Sequence, residues 1–190
     1  YGKTRTTPDH LVEGIGEGGR KAGTPIAQSR VFLHGTTIAI NTILERKGAP
    51  TALLTTRGFR DVYEIGRINR PESYNLFFKK HQPLIIRSLR LEANERMSAQ
   101  GEVLKKLDDA ELIELAARLK GLGVQAVAIL FFHSYMNPEH EIRAKRLIEK
   151  NCPGVFVSAS HELSKEYREF ERTSTVAANA YIGPRIKTYL

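Results

Sequence analysis

The run Ala126-Val127-Ala128-Ile129-Leu130-Phe131-Phe132 does most to limit what this chain can fold into. Its apolar residues are continuous, whereas a strand with one wet face alternates apolar and polar positions. A continuous run suits a strand covered on both faces, as in parallel sheets flanked by helices. It is far too short to cross a bilayer, even when extended back through Gln125 to Val124. The flanking sequence agrees. Before the run, Asp108 and Glu111 make a capping-box pattern, and Leu112, Leu115, Ala116 and Leu119 recur on one helical face until Gly121 and Gly123. After it, Asn137-Pro138 opens a second helix whose buried face is Ala144, Leu147 and Ile148. Val155 to Ser158 reads as a further strand. Ser164 then caps a long helix with Tyr167, Phe170, Ala177, Ala178 and Tyr181 turned inward, kinked or interrupted at Pro184.

The first part of the chain follows the same grammar. Thr7-Pro8-Asp9 looks like a helix start, followed by Leu11, Val12 and Ile15, with Gly14, Gly16, Gly18 and Gly19 weakening and ending the helix. Val31-Phe32-Leu33 reads as the end of a buried strand, Thr37 to Lys47 as a helix stopped by Gly48, and Thr51 to Thr56 as a second strand ended by Gly58. That order predicts a parallel pair with a right-handed crossover. Residues 61–106 are less regular. Leu84-Ile85-Ile86 and Leu89 to Glu92 are candidate strands, and Ala99 to Glu102 is a turn leading to Val103-Leu104. This segment reads as an excursion from the sheet, with a hairpin, inside one domain covering residues 1–190.

Composition closes off several classes. With 190 residues, 41% hydrophobic and 26% charged, the chain is long and apolar enough for a real core and is not a disordered tail. The excess of 29 Lys+Arg over 21 Asp+Glu gives a formal charge of +8. The basic residues are interleaved with acids, as in Glu45-Arg46-Lys47 and Glu169-Phe170-Glu171-Arg172, with no basic block among aromatics. The expectation is a solvated surface, with an anionic small-molecule substrate second, and neither nucleic acid nor membrane as a partner. Cys152 is the only cysteine, so there is no internal disulfide, and a reducing cytoplasm fits. The chain starts at Tyr1 and stops at Leu190 inside a helical pattern, which reads as a fragment of a longer polypeptide.

The candidate chemistry centres on His34-Gly35-Thr36-Thr37 and Asn41, where the Val31-Phe32-Leu33 strand would turn into a helix. Strand ends and helix N-termini favour ligands and anions in open α/β sheets. A neutral His34 beside the helix dipole suits contact with a substrate carbonyl or phosphate; the plainer alternative is a strand-end histidine bonded to backbone. Thr36 and Thr37 are natural N-caps, and capping explains one of them. Asn41 lies one turn from Thr37, either as an exposed polar position or on the same pocket. Arg57, Arg60, Arg67 and Arg70 suit a carboxylate or phosphate, or an ordinary surface. Asp61 or Glu64 is a candidate base or metal ligand, or a salt-bridge partner of a nearby arginine. Thr173-Ser174-Thr175 marks a polar pocket or close packing. His133 and His140 lack metal-ligand spacing, and no metal site is expected.

Taken jointly, these strings resemble a known family. His34 to Ala49, Thr51 to Val62 and Glu64-Ile65-Gly66-Arg67 resemble the N-terminal region of the hydantoinase A/5-oxoprolinase family. Ser134-Tyr135-Met136-Asn137-Pro138-Glu139-His140-Glu141, Glu169 to Thr175 and Asn179-Ala180-Tyr181 look like later signatures of that region. The resemblance implies an α/β fold of the actin/Hsp70/sugar-kinase-like (ribonuclease H-like) type, with a mostly parallel sheet flanked by helices. It implies an ATP-dependent hydrolase that opens 5-oxoproline or a hydantoin through a phosphorylated carbonyl, with a ketone carboxylase subunit or a non-catalytic assembly subunit as alternatives. ATP, a divalent cation such as Mg2+, the remainder of the chain and a hydantoinase B-type partner are implied as well. On the substrate side, His34, Thr36 and Thr37 are the catalytic candidates and Asn41, Arg57, Arg60, Asp61 and Arg67 the substrate-binding ones, roles that do not themselves follow from the resemblance. The family's glycine- and threonine-rich phosphate hairpin, expected ahead of Thr6-Thr7-Pro8-Asp9, has no counterpart here, and a second phosphate motif would lie beyond Leu190. The expectation is therefore a region with few ATP contacts that is inactive alone.

Overall fold

The continuous apolar run forms an inner strand of the sheet. A computed structural model of the chain describes every residue except 6, 8–10, 24–26, 28, 69–71 and 190, and the side chains of all the others except 11 and 189. The helix start at Thr7-Pro8-Asp9 falls largely outside these residues, as does Arg70. The elements are α1 (Leu11–Lys21), α2 (Ile38–Leu44), β1 (Thr51–Thr56), α3 (Val62–Ile65), a 3-10 turn (Arg87–Leu89), β2 (Arg90–Ala93), β3 (Arg96–Met97), β4 (Val103–Lys105), α4 (Asp109–Gly121), β5 (Ala126–Leu130), α5 (Glu139–Asn151), β6 (Phe156–Ala159), α6 (Ser160–Leu163) and α7 (Glu169–Tyr189).

Four strands form a parallel sheet in the order β2-β1-β5-β6. Alternation along each strand divides the core in two. Ala52, Leu54, Val127, Ile129 and Val157 face Leu112, Leu115, Ala116 and Leu119 of α4 and Ala144 and Ile148 of α5. Leu53, Ala126, Ala128 and Leu130 face Val176, Ala177 and Ala180 of α7. Alanines on both sides of this second layer let α7 lie close to β5. Truncating a fully buried Leu112 or Ile148 to Ala would cost about 2–5 kcal/mol, the transfer term plus the cavity. No helix among the described residues is long and apolar enough to cross a membrane.

Several sequence expectations need correction. Val31-Phe32-Leu33 is not a strand, and Leu33 is 90% exposed. The reason is pairing: both edges of β1 are taken, by β2 and β5, so no position beside it is left for residues 31–33. The excursion over 61–106 returns to the sheet earlier than read. Arg90 to Ala93 pair in parallel with Leu53 to Thr56, while Leu84-Ile85-Ile86 forms no strand and only inserts Ile85 into the core. The hairpin is real, with β3 and β4 antiparallel across the turn at Ala99–Gly101. The Asp108 side chain accepts from the Ala110 N–H, but Glu111 does not complete the box; it turns to Arg57 and to the Asn94 N–H. The last long helix begins at Glu169, after the short α6, and runs through Pro184.

Candidate functional site

Every strand of a parallel sheet ends on the same edge. Here the chain passes from β1 to β2 on one side, then crosses to β5 and β6 on the other. The order therefore reverses between β1 and β5, and such a reversal opens the crevice where α/β sheets take ligands. The turn after β1 carries Arg57, Gly58, Phe59, Arg60 and Asp61, and the turn after β5 carries Phe131 to Tyr135. The two turns meet through Phe59 and Phe132, whose ring centroids are 4.0 Å apart.

Beneath this mouth lies a buried polar network. Thr56 Oγ1 donates to Glu95 Oε1 and accepts from the Phe132 N–H, and His140 Nδ1 donates to Glu95 Oε2 at 2.7 Å. Glu141 is fully buried and accepts four hydrogen bonds. Oε1 takes the Phe131 N–H (2.8 Å) and Ser160 Oγ (2.7 Å); Oε2 takes the His161 N–H (2.9 Å) and His161 Nδ1 (2.8 Å). Arg172, also fully buried, donates to Ser134 Oγ (2.6 Å), Ser160 Oγ (3.0 Å) and the Phe131 carbonyl (3.3 Å). Because the single Ser160 proton goes to Glu141, Ser134 is the donor in the Ser134–Ser160 hydroxyl contact. Glu141 and Arg172 compensate each other through these hydroxyls, as buried charges must. Burial alone pushes the Arg172 guanidinium below its ordinary range, and Glu141 and Glu169 oppose that.

The network pins the turn after β5 from three sides, and His133 sits in that turn with φ at +57°. A non-glycine residue in this region is strained and persists only where its surroundings dictate it. Burial lowers the His133 pKa, Glu169 opposes it, and Arg96 lowers it further. The His133 ring Nδ1 is 3.3 Å from Tyr135 Oη.

The predicted residues fall into three places. His34 is exposed, with its ring parallel to Phe32 at 6.2 Å. Thr36 Oγ1 accepts from the Ile38 N–H (3.2 Å) and Thr37 Oγ1 from Asn41 Nδ2 (3.3 Å), so Thr36, Thr37 and Asn41 come together at the start of α2. Arg57, Arg60 and Asp61 share the lip of the crevice. Arg57 pairs with Glu111 at 2.7 Å, and Asp61 is gripped by both ends of Arg87 at 2.8 and 2.9 Å, which holds its carboxyl below the usual range. Arg67 bonds Glu171 on α7 (2.6 and 2.7 Å) and lines a separate groove of about 510 Å³ with Tyr63, Phe78, Pro83 and Phe170. The groove's cations serve its own loops: Lys80 bonds the Glu64 and Ile65 carbonyls, and Arg46 those of Gln82 and Pro83.

Sequence reasoning missed Glu95, Arg96, His133, Glu141 and Arg172 as one assembly. The Ser134–Glu141 and Glu169–Thr175 strings were visible, but no periodicity says that they converge. Six amides of the two turns are already taken and offer a nucleotide phosphate nothing. The N–H groups of Arg57, Gly58, Phe59, Phe131, Phe132 and Ser134 all donate within the chain, and no cluster of three metal-ligating side chains occurs among the described residues. No step through ATP or a cation is therefore assigned to these residues.

The family described as the hydantoinase/oxoprolinase N-terminal region matches residues 1–152. Among similar proteins, an uncharacterized protein of Methanocaldococcus jannaschii is 41% identical over 99% of the chain and 28% of its own length. The caprolactamase subunit alpha of Pseudomonas jessenii is 35% identical over 90% of the chain and 25% of its length, and the 5-oxoprolinase of Saccharomyces cerevisiae 33% over 87% and 15%. The chain thus spans between 15% and 28% of these relatives. The crystal structure of the ATP-dependent caprolactamase from Pseudomonas jessenii superposes with a TM-score of 0.82, covering 96% of the chain and 27% of that chain at 32% identity. A nucleotide-free acetone carboxylase reaches the same TM-score at 24% identity, over 98% of the chain and 29% of its own, and speaks for the fold alone. Shared sequence over most of the chain and a shared fold over nearly all of it lead to one conclusion: this chain belongs to the hydantoinase/oxoprolinase family and carries its N-terminal region.

Proposed function

We propose that the protein containing this region is an ATP-dependent hydrolase of cyclic amides, opening a ring of the 5-oxoproline or hydantoin type through a phosphorylated carbonyl. The observation that carries this reading is the superposition, over 96% of the chain, on an enzyme that acts on a lactam with ATP. In this reading His34, Thr36 and Thr37 are the catalytic groups of this region, and Asn41, Arg57, Arg60, Asp61 and Arg67 serve the substrate. The exposure of His34 and the position of Arg57, Arg60 and Asp61 on the crevice lip support it. ATP with Mg2+ supplies the phosphoryl group, held by the remainder of the chain, and a hydantoinase B-type partner completes the reaction. A cytoplasmic setting fits, where ATP is at hand and Cys152 stays reduced.

The test is ATP hydrolysis by the full-length protein. Stimulation by 5-oxoproline or a hydantoin is expected. Stimulation only by a ketone with bicarbonate would assign a carboxylase instead, and no stimulation by any of them a non-catalytic role. His34→Ala should lower the stimulated rate about 100-fold while shifting stability by no more than about 0.5 kcal/mol. A folded variant with full activity removes His34 from the site.

A further inference from the structure

We propose that the mouth between β1 and β5 binds the carboxylate of a carboxylated lactam, with Arg96 as its anchor and His133 beside it, so that Arg96 sets preference for charged over uncharged rings. The proposal rests on the cyclic-amide reading above and names a substrate class within it.

Arg96 opens β3, just past the end of β2, and is partly buried at the carboxyl edge of the sheet. Its Cζ sits 4.8 Å from the ring centroid of Phe59 and 5.1 Å from that of Phe132, the two aromatics joining the crevice turns. Rings hold a guanidinium through its face, which leaves the N–H edge for an acceptor. Among the described residues no acceptor takes it. Glu92 Oε1 is occupied by the Gly58 N–H, and both oxygens of Glu95 by Thr56 and His140. Among the described residues no carboxylate lies within ion-pair distance of Arg96, in contrast to Arg57, Arg67, Arg87 and Arg90. A positioned, partly desolvated cation without a counterion is a site for an anion from outside.

His133 also packs against Phe132, edge-on with ring centroids 6.0 Å apart, and Arg96 is among the charges that lower its pKa. With Nδ1 facing Tyr135, Nε2 is the ring atom left for a ligand. The strained backbone of His133 is held by the Glu141 and Arg172 network, so its placement does not depend on a ligand arriving. The flat, two-oxygen edge of a carboxylate matches one guanidinium. A phosphate asks for more donors than one guanidinium offers, and the N–H groups of Arg57, Gly58, Phe59, Phe131, Phe132 and Ser134 are already used.

The experiment uses the full-length protein. Equilibrium binding, without nucleotide, compares 5-oxoproline with 2-pyrrolidinone, the same ring without the carboxylate. ATP-hydrolysis kinetics are then measured for wild type, Arg96→Gln and Arg96→Lys. The wild type should bind 5-oxoproline at least tenfold more tightly. Arg96→Gln should raise KM for 5-oxoproline about 10- to 100-fold, with little change in kcat. The loss for 2-pyrrolidinone should be at least tenfold smaller, and Arg96→Lys should recover part of the preference. Equal wild-type affinity for both rings, or equal losses in Arg96→Gln, overturns the proposal. So does inorganic phosphate that competes with 5-oxoproline in the wild type but not in Arg96→Gln. If Arg96→Gln does not fold, the wild-type binding pair and Arg96→Lys decide alone. Selective binding without stimulated ATP hydrolysis would fail the catalytic reading and keep this one; stimulated hydrolysis indifferent to Arg96 would do the reverse.

Discussion

Replacing Glu141 by Gln keeps the shape of the side chain and removes its charge. All four of its partners in the native fold are donors: the Phe131 and His161 N–H groups, Ser160 Oγ and His161 Nδ1. An amide carries one acceptor oxygen and one donor nitrogen, so either orientation sets an NH2 against two donors. The substitution also leaves Arg172 buried without its carboxylate. Breaking a buried pair from one side costs about 3–5 kcal/mol, mostly through the stranded charge. At about 2–4 °C per kcal/mol for a chain of this size, Tm should fall by about 6–20 °C. The assay is thermal and urea unfolding at pH 7 followed by far-ultraviolet circular dichroism, because the chain has no tryptophan. Glu139→Gln, on the exposed side of the same helix, is the control and should stay within about 0.5 kcal/mol. If Glu141→Gln is as stable as that control, the network is not what holds the turn after β5.

Further outcomes follow from single positions. A Cβ on Gly48 would lie 2.1 Å from Tyr181 Cε1, and that ring is packed on α7, so Gly48→Ala should lower stability by about 1–3 kcal/mol; an unchanged Tm would show that α2 and α7 are not so closely apposed. His133 has a folded-state pKa below the ordinary 6.5, chiefly through burial. The unfolded chain therefore takes up its proton first as pH falls. Stability should be full above 6.5 and decline between that value and the lower folded-state pKa. His133→Asn, which tolerates a positive φ, should flatten this part of the pH–stability curve; an identical curve would remove His133 as its source.

Much of the scaffold was legible from local pattern. The limits of β1 are those read from Thr51 to Thr56, and the buried face of α4 is the one read from Leu112, Leu115, Ala116 and Leu119. Alternation and helical spacing record which faces are apolar, and burying those faces is what drives folding. The same reasoning erred at Val31-Phe32-Leu33, because apolarity says that a segment suits burial without saying which edge is open to it. It also left Arg90 to Ala93 outside the sheet, since a strand containing a buried arginine does not look like a core strand. Its Nε and Nη2 bond the Ile85 carbonyl and Glu64, partners no periodicity reveals.

What the sequence determined by itself is therefore most of the sheet's strands and covering helices, the two apolar faces of the sheet, and a string pattern specific enough to mark the family. Only the tertiary structure decided the strand order β2-β1-β5-β6, and with it the crevice where β1 and β5 diverge. Glu95 and His140, or Glu141 and Arg172, are far apart along the chain and meet because parallel strands deliver their ends to one edge. Secondary structure is written in spacings of two to four residues, whereas a site is assembled from whichever loops the sheet topology brings together. That is why most of the strands could be read in advance, and Arg96 and His133, which both pack against Phe132, could not.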